Sequence, residues 1–436
     1  MERDKLSSLQ ILTLVLCWMI VAADGFDVAS VGYVAPLLKK EWGLAAAQMG
    51  PIFGAGLLGL CVGSFLIGPL ADRIGRKRVI IASLILFGIG SLACAYASSA
   101  LSLTVLRFLT GAGLGGALPT VITLASEFSP ARRRALMVTL MLSGFPLGLA
   151  FGGIVAAQLI PTFGWQSVFV FGGVFPLLLV PLIFALLPES LKFMAGKPRY
   201  AAEARRVLAR HKGGTDLVEE AAPASVSATA AAAIKETPIA ILFGQHYRIG
   251  TLLLWISFFC TLWVYYQLSS WLPTVMTEAG IDVSRAALMA MMMPLGGVFG
   301  GTLIAYLMDR IDPYLVLTCS YLMAAVAIAL IGMTLHEPVW IYVTVFIAGI
   351  GVAGAQTGLN VFAAGFYTTA ARATGVSWAL AVGRIGSIIG AVTGGMLLAA
   401  APSLTAAFII FAIPAVISAG AMTLNGRFYR GQARQV

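Results

Sequence analysis

The sequence predicts an all-α protein embedded in a membrane, with twelve transmembrane helices arranged as two pseudo-symmetric halves of six. Three observations predict it. Apolar residues make up 59% of the 436 and charged residues only 11%, with a mean hydropathy of +0.94, whereas a soluble protein carries about 25% charged residues. Apolar runs of about 20 residues, the length that crosses a bilayer as a helix, recur twelve times along the chain. Motifs of the first half also return in the second at a constant offset of 242 residues, as Gly144 and Gly386 do. This balance argues against a soluble enzyme, a nucleic-acid binder or a disordered scaffold.

The apolar runs fall near 11–36, 50–71, 78–97, 101–127, 135–160 and 165–187, then 249–275, 286–308, 313–334, 338–366, 373–400 and 404–424. Residues 1–190 are read as the first half, 191–248 as a linker and 249–436 as the second half. Within the linker, Ala201 to Lys212 has the pattern of a basic amphipathic helix on the membrane surface. Ala221 to Ala233 is rich in Ala and Ser and is read as a flexible connector. The start of the chain, Met1-Glu-Arg-Asp-Lys, leads into an apolar stretch longer than that of a signal peptide, so it is expected to be a retained first span.

Charge placement sets the expected orientation. Of the 28 Lys and Arg, only Lys39, Lys40 and Arg285 fall in loops on one side, and Arg107 and Arg384 lie within spans. The rest gather on the other side, which positive-inside bias identifies as the cytoplasm. Both termini and the linker are therefore expected there, in a multi-pass protein of the inner membrane whose surroundings are the lipid bilayer, not nucleic acid. Cys17, Cys61, Cys94, Cys260 and Cys319 all sit within apolar runs without ligand spacing. No metal site, cofactor or nucleotide-binding signature is expected.

Two repeats carry the internal symmetry. Gly68-Pro-Leu-Ala-Asp72-Arg73-Ile-Gly75-Arg76-Lys77 joins spans two and three, and Ala305 to Pro313, with Asp309 and Arg310, joins spans eight and nine. Gly144, Gly148, Gly152 and Gly153 form a ladder that Gly386, Gly390, Gly394 and Gly395 repeat. Small residues four apart let helix backbones approach closely, and the two halves are expected to meet along these faces. Internal duplication of this kind is the plan of secondary transporters.

These residues resemble a known family. Gly68 to Lys77 is similar to the signature loop of the major facilitator superfamily, and the second copy is a partial match, with Ala305 and Asp312-Pro313 departing from it. Within that superfamily the chain resembles the aromatic acid:proton symporters. The resemblance is carried by Asp24-Gly-Phe-Asp27, Arg107 to Pro119, Glu127-Phe-Ser-Pro with Arg132, Ser270-Trp-Leu-Pro273, Arg372-Ala-Thr-Gly375 and Gly383-Arg384-Ile-Gly386. It implies the major facilitator fold, transport of an aromatic carboxylate such as 4-hydroxybenzoate or protocatechuate with protons as the second partner, and a need for the two aspartates.

The candidate residues follow from charge inside a membrane, which is costly and faces a cavity or a partner. Asp24 and Asp27 share a helix face, and two such close carboxylates resist joint ionisation, so they are candidate proton sites. Glu127, at the cytoplasmic end of span four, is read first as a salt-bridge latch and second as part of a proton exit. Arg107 is placed to pair with Asp27, either as a switch that protonation releases for substrate or as a permanent structural pair. Arg384, the one charge inside the spans of the second half, is matched to a substrate carboxylate by its fork of donors. Gln356 and Asn360, four apart, and Tyr265 and Trp271 are candidates to surround the ring. Asp72, Arg73, Arg76, Lys77, Asp309 and Arg310 are expected to form a cytoplasmic gate.

The resulting expectation is not an enzyme but a monomeric secondary transporter that takes up an aromatic acid with protons by alternating access. The alternatives are a proton-coupled antiporter exporting drugs or metabolites, and a sugar or organic-acid carrier of the same fold. The exporters' G-P-x-x-G-G element is not reproduced around Pro146.

Overall fold

The computed structural model describes residues 6–130, 133–194, 197, 200, 238–335, 337 and 339–429; the surface helix expected at 201–212 and the connector at 221–233 lie outside them. Among the described residues twelve helices are long and apolar enough to cross a membrane. The first half contains α1 (Ser8–Glu41), α2 (Ala46–Leu66), α3 (Arg76–Cys94) and α4 (Ala100–Phe128), then α5 (Arg134–Leu142 continuing as Gly144–Phe163) and α6 (Gln166–Leu186). The second contains α7 (Arg248–Glu278), α8 (Val283–Ala290 continuing as Met292–Met308), α9 (Pro313–Thr334), α10 (Trp340–Phe366), α11 (Thr369–Ala400) and α12 (Leu404–Tyr429). An even number of crossings returns the chain to its starting side, so both ends lie on one face, here the terminal face. The opposite one is the far face.

Local chemistry explains where helices begin. Ser7 and Gln10 form a reciprocal capping box at the start of α1, with bonds of 2.8 and 3.2 Å, satisfying amides that have no partner within the helix. Asp312 accepts from the Tyr314 amide at 3.0 Å with Pro313 in the first turn, so the departure from the signature in the second loop is a helix cap. In the first loop, Gly75 has φ of 108°, and a Cβ there would meet the Glu189 carboxylate at 2.5 Å. Only glycine suits both conditions.

Some ends differ from the apolar runs. α1 continues through Lys39, Lys40 and Glu41 because Lys39 forms an ion pair with Glu278 at the end of α7. α2 stops at Leu66, and Leu70–Ile74 forms a separate short helix after Pro69. The linker is anchored at both ends. Leu191, Phe193 and Met194 are buried against the first half, whereas Leu242 packs in the second and its carbonyl accepts from Thr251 at 3.2 Å.

The glycine ladders do a different job from the one expected of them. A Cβ on Gly148 would lie 2.0 Å from the Ala22 carbonyl of α1, and one on Gly390 would lie 2.2 Å from the Trp263 carbonyl of α7. The ladders thus bed α5 on α1 and α11 on α7, each inside its own half. Only the last rung crosses, Gly153 against Ala287 and Met291, and Gly395 against Ala46. The first three rungs serve assembly of each half, because their partners are backbone and side-chain atoms of the neighbouring helix in that half.

The cores show where the halves meet. One apolar cluster contains the far-face portions of both halves, from Phe26 and Met49 to Trp271 and Phe411. Toward the terminal face the core divides into two, one built from each half. Gly32 against the Ser269 carbonyl and Gly50 against that of Val392 seal the far side. The molecule is closed there and parts toward the terminal face. Gly148→Val is expected to destabilise the detergent-solubilised protein by about 1–3 kcal/mol through overpacking, read as a lowered unfolding midpoint.

Candidate functional site

The centre of the molecule is built on α1, which carries Asp24 and Asp27 one turn apart. Asp27 is fully buried and Arg107 of α4 is 3% exposed. The guanidinium grips the carboxylate with two bonds of 2.7 Å, Nη1 to Oδ1 and Nη2 to Oδ2. Nη2 also donates to the Asp27 carbonyl at 3.2 Å. Such forked, charge-assisted bonding is the strongest arrangement open to these groups. Gly56 of α2 leaves the space: a Cβ there would sit 3.4 Å from Nη2. The Phe169 ring lies 5.9 Å from the guanidinium carbon.

Beside this pair is a cavity of about 20 Å³, lined from the first half by Asp27, Phe53, Leu57 and Arg107, and from the second by Tyr266 and Ser270. That is room for one water. The cavity therefore marks the seam between halves at the depth of the ion pair.

Asp24 has a different environment. It is 3% exposed, and neither carboxylate oxygen has a hydrogen-bond partner. Two charges act on it: Arg384 of α11 in the other half, half-buried, whose guanidinium also approaches the Tyr266 hydroxyl, and the Asp27 carboxylate one turn along α1. Cys61 of α2 borders the same guanidinium. The two aspartates thus divide between two arginines. Asp27 is held within its own half, and Asp24 faces a cation across the seam.

A profile described as Major Facilitator Superfamily matches residues 17–391 and 274–430. The chain belongs to the major facilitator superfamily. It is 41% identical to a gallate transporter of Pseudomonas putida, over 98% of this chain and 94% of that protein. It is 40% identical to the 4-hydroxybenzoate transporter PcaK of Pseudomonas aeruginosa, over 97% and 93%. The inward-open xylose transporter XylE of E. coli shares the fold, with a TM-score of 0.75 at 15% identity over 94% of each chain.

The superfamily's signature loop lies on the terminal face and ties the first half to itself. Arg76 pairs with Glu127 at 2.6 Å and with Asp72 at 3.3 Å. Glu127 also accepts from Ser190 at 2.5 Å, and Arg76 donates to the same hydroxyl. Glu189 accepts from the Arg76 and Lys77 amides at 2.8 and 3.1 Å, placing an anion at the N-terminus of α3 where the helix dipole favours it. Glu127 is therefore seated in a latch. Asp72, Arg73, Asp309 and Arg310 are exposed, with Arg310 lying 4.4 Å over the Tyr306 ring.

The remaining candidates separate. Gln356 and Asn360 of α10 bond to each other at 3.3 Å, with Asn360 exposed. Tyr265 is buried with its ring against that of Tyr266. Trp271 is fully buried, its indole N–H donates to the Ala391 carbonyl at 2.8 Å, and its ring abuts Phe53. It is a packing anchor between α7, α11 and α2, without a free polar edge. Sequence reasoning missed Glu189 and Ser190, although an acid directly following span six beside a basic loop was a legible signal. It also missed the Lys39–Glu278 pair, which only proximity of two helix ends creates. Among the described residues this is the one ion pair that joins the halves.

Two outcomes follow. Arg107→Ala strands a buried carboxylate and is expected to cost about 3–5 kcal/mol of stability; the Arg107→Ala/Asp27→Ala double variant should recover part of it in thermal unfolding. Lys39→Ala should open the far face more often, read as faster labelling by a membrane-impermeant thiol reagent of a cysteine introduced at Ser270, which lines the cavity between the halves, and Lys39→Glu with Glu278→Lys should restore the slow rate.

Proposed function

We propose that the protein is a proton-coupled symporter that takes up an aromatic carboxylate by alternating access. The observation that carries this reading is Asp24: a buried carboxylate with no hydrogen-bond partner, facing Arg384 across the seam. Burial of an unpaired charge is costly, so Asp24 is poised either to take a proton or to lean on Arg384. With Asp24 ionised, Arg384 is balanced by it. Once Asp24 is protonated, Arg384 is free to grip a substrate carboxylate with two parallel bonds. Proton and substrate then reinforce each other's binding, which is the linkage a symporter needs.

Asp27 and Arg107 hold the floor of this site. Their forked pair neutralises both charges within one half and stays intact as the halves rock. The names of the similar proteins, gallate and 4-hydroxybenzoate transporters, support a ring-bearing acid as substrate. Charge placement supports a bacterial inner membrane with both termini cytoplasmic, so the terminal-face opening is inward. The two halves contain the whole site, which supports a working monomer. One proton with one monoanion moves no net charge. A second proton would let the membrane potential add about 2.3 kcal/mol per 100 mV.

Uptake of labelled 4-hydroxybenzoate into proteoliposomes tests the reading. An inward proton gradient is expected to drive accumulation, and its collapse to abolish it. Asp24→Asn should lose gradient-driven accumulation yet retain substrate exchange, because the neutral amide mimics the protonated state. Arg384→Ala should lose both. Flux indifferent to the gradient, or normal accumulation by Asp24→Asn, refutes the proposal.

A further inference from the structure

Helix α7 presents one face made of Trp263, Gln267, Ser270 and Thr274, spaced four, three and four apart as neighbours on one side of a helix must be. Ser270 opens on the cavity between the halves, as does Tyr266 beside Gln267. Along this face the polar atoms are buried and unpaired: Trp263 Nε1, both Oε1 and Nε2 of Gln267, and Thr274 Oγ1. Gln267 is fully buried. Each unsatisfied buried polar group costs about 1–3 kcal/mol, and a primary amide with neither end bonded bears that cost twice. The superfamily fold does not require a polar residue here, since α7 is held to α11 by glycine contacts and by the Trp271 indole.

The chemistry of the amide narrows what satisfies it. A carboxylate only accepts, so it suits the donor-only fork of Arg384. A phenolic hydroxyl both donates and accepts, so it suits an amide offering Oε1 and Nε2 together. Tyr266 lies at the Arg384 guanidinium and lines the cavity with Ser270, which is one turn from Gln267 on the same helix face, so the carboxylate-binding end and the face of the amide meet at one seam. Gln356 and Asn360 already spend part of their capacity on each other.

We propose that Gln267 is a specificity-determining residue, its amide hydrogen-bonding the ring hydroxyl of a hydroxylated aromatic acid whose carboxylate Arg384 holds. This rests on the aromatic-acid reading above and deepens it. A site built to bond a hydroxyl discriminates against the analogue that lacks it, because the polar group is then left unpaired.

The test compares 4-hydroxybenzoate with benzoate, the same acid without the hydroxyl, in proteoliposomes carrying the full chain. The wild type is expected to favour 4-hydroxybenzoate. Gln267→Leu should lower kcat/KM for 4-hydroxybenzoate by about tenfold or more and leave benzoate nearly unchanged. Gln267→Asn, which keeps the amide on a shorter arm, should restore part of the preference. Thermal stabilisation of the solubilised variants by each acid gives the same ratio without transport. Equal loss for both acids, or an unchanged ratio, overturns the role of Gln267. A wild type that moves both acids equally well also overturns it while leaving the transport reading intact, whereas a wild type that moves neither refutes the transport reading itself.

Discussion

A charge buried between helices must be matched, and the Asp27–Arg107 pair is where this protein meets that demand. Two forked bonds and a third to the backbone tie α1 to α4, and the glycine at position 56 leaves the space that the guanidinium fills. The pair fixes the depth and rotation of α1. That rotation places Asp24, one turn away, at the seam without a hydrogen-bond partner. A neutralised pair thus stands one turn from an unmatched carboxylate.

The same separation runs through the packing. Within each half, helices approach so closely at glycines that only a carbonyl fits opposite, and these contacts leave no slack. Between the halves the shared apolar core lies toward the far face, where a few glycine seams and the Lys39–Glu278 pair close it. On the terminal face the loop of Arg76, Glu127, Glu189 and Ser190 binds the first half to itself, which keeps that body rigid on the side where the molecule parts.

Much of this was legible in the chain. Span count and duplication follow from apolar run length and from the offset between repeats. Asp27 and Arg107 could be matched because charges at comparable depth in neighbouring spans must neutralise one another. The ladders were recognised as close-packing faces, yet they were expected to join the two halves, whereas Gly148 meets Ala22 and Gly390 meets Trp263, each in its own half. Trp271 looked like a ring-binding aromatic and is a packing anchor, because aromatic character alone does not say whether the indole N–H is already bonded. Gln267 stood out only when its two unpaired amide atoms were seen.

What the sequence determined by itself was an inventory: twelve spans, two related halves, and a small set of ionisable side chains that lipid would not accept. Those follow from transfer energies and helix period, which act residue by residue along the chain. What the tertiary structure decided was partnership, with Asp27 given to Arg107, Asp24 left without a hydrogen-bond partner, and Glu127 drawn into a latch with Ser190. Partnership depends on how helices rotate and cross, and that is set by close contacts between residues distant in sequence, about which local pattern carries no information.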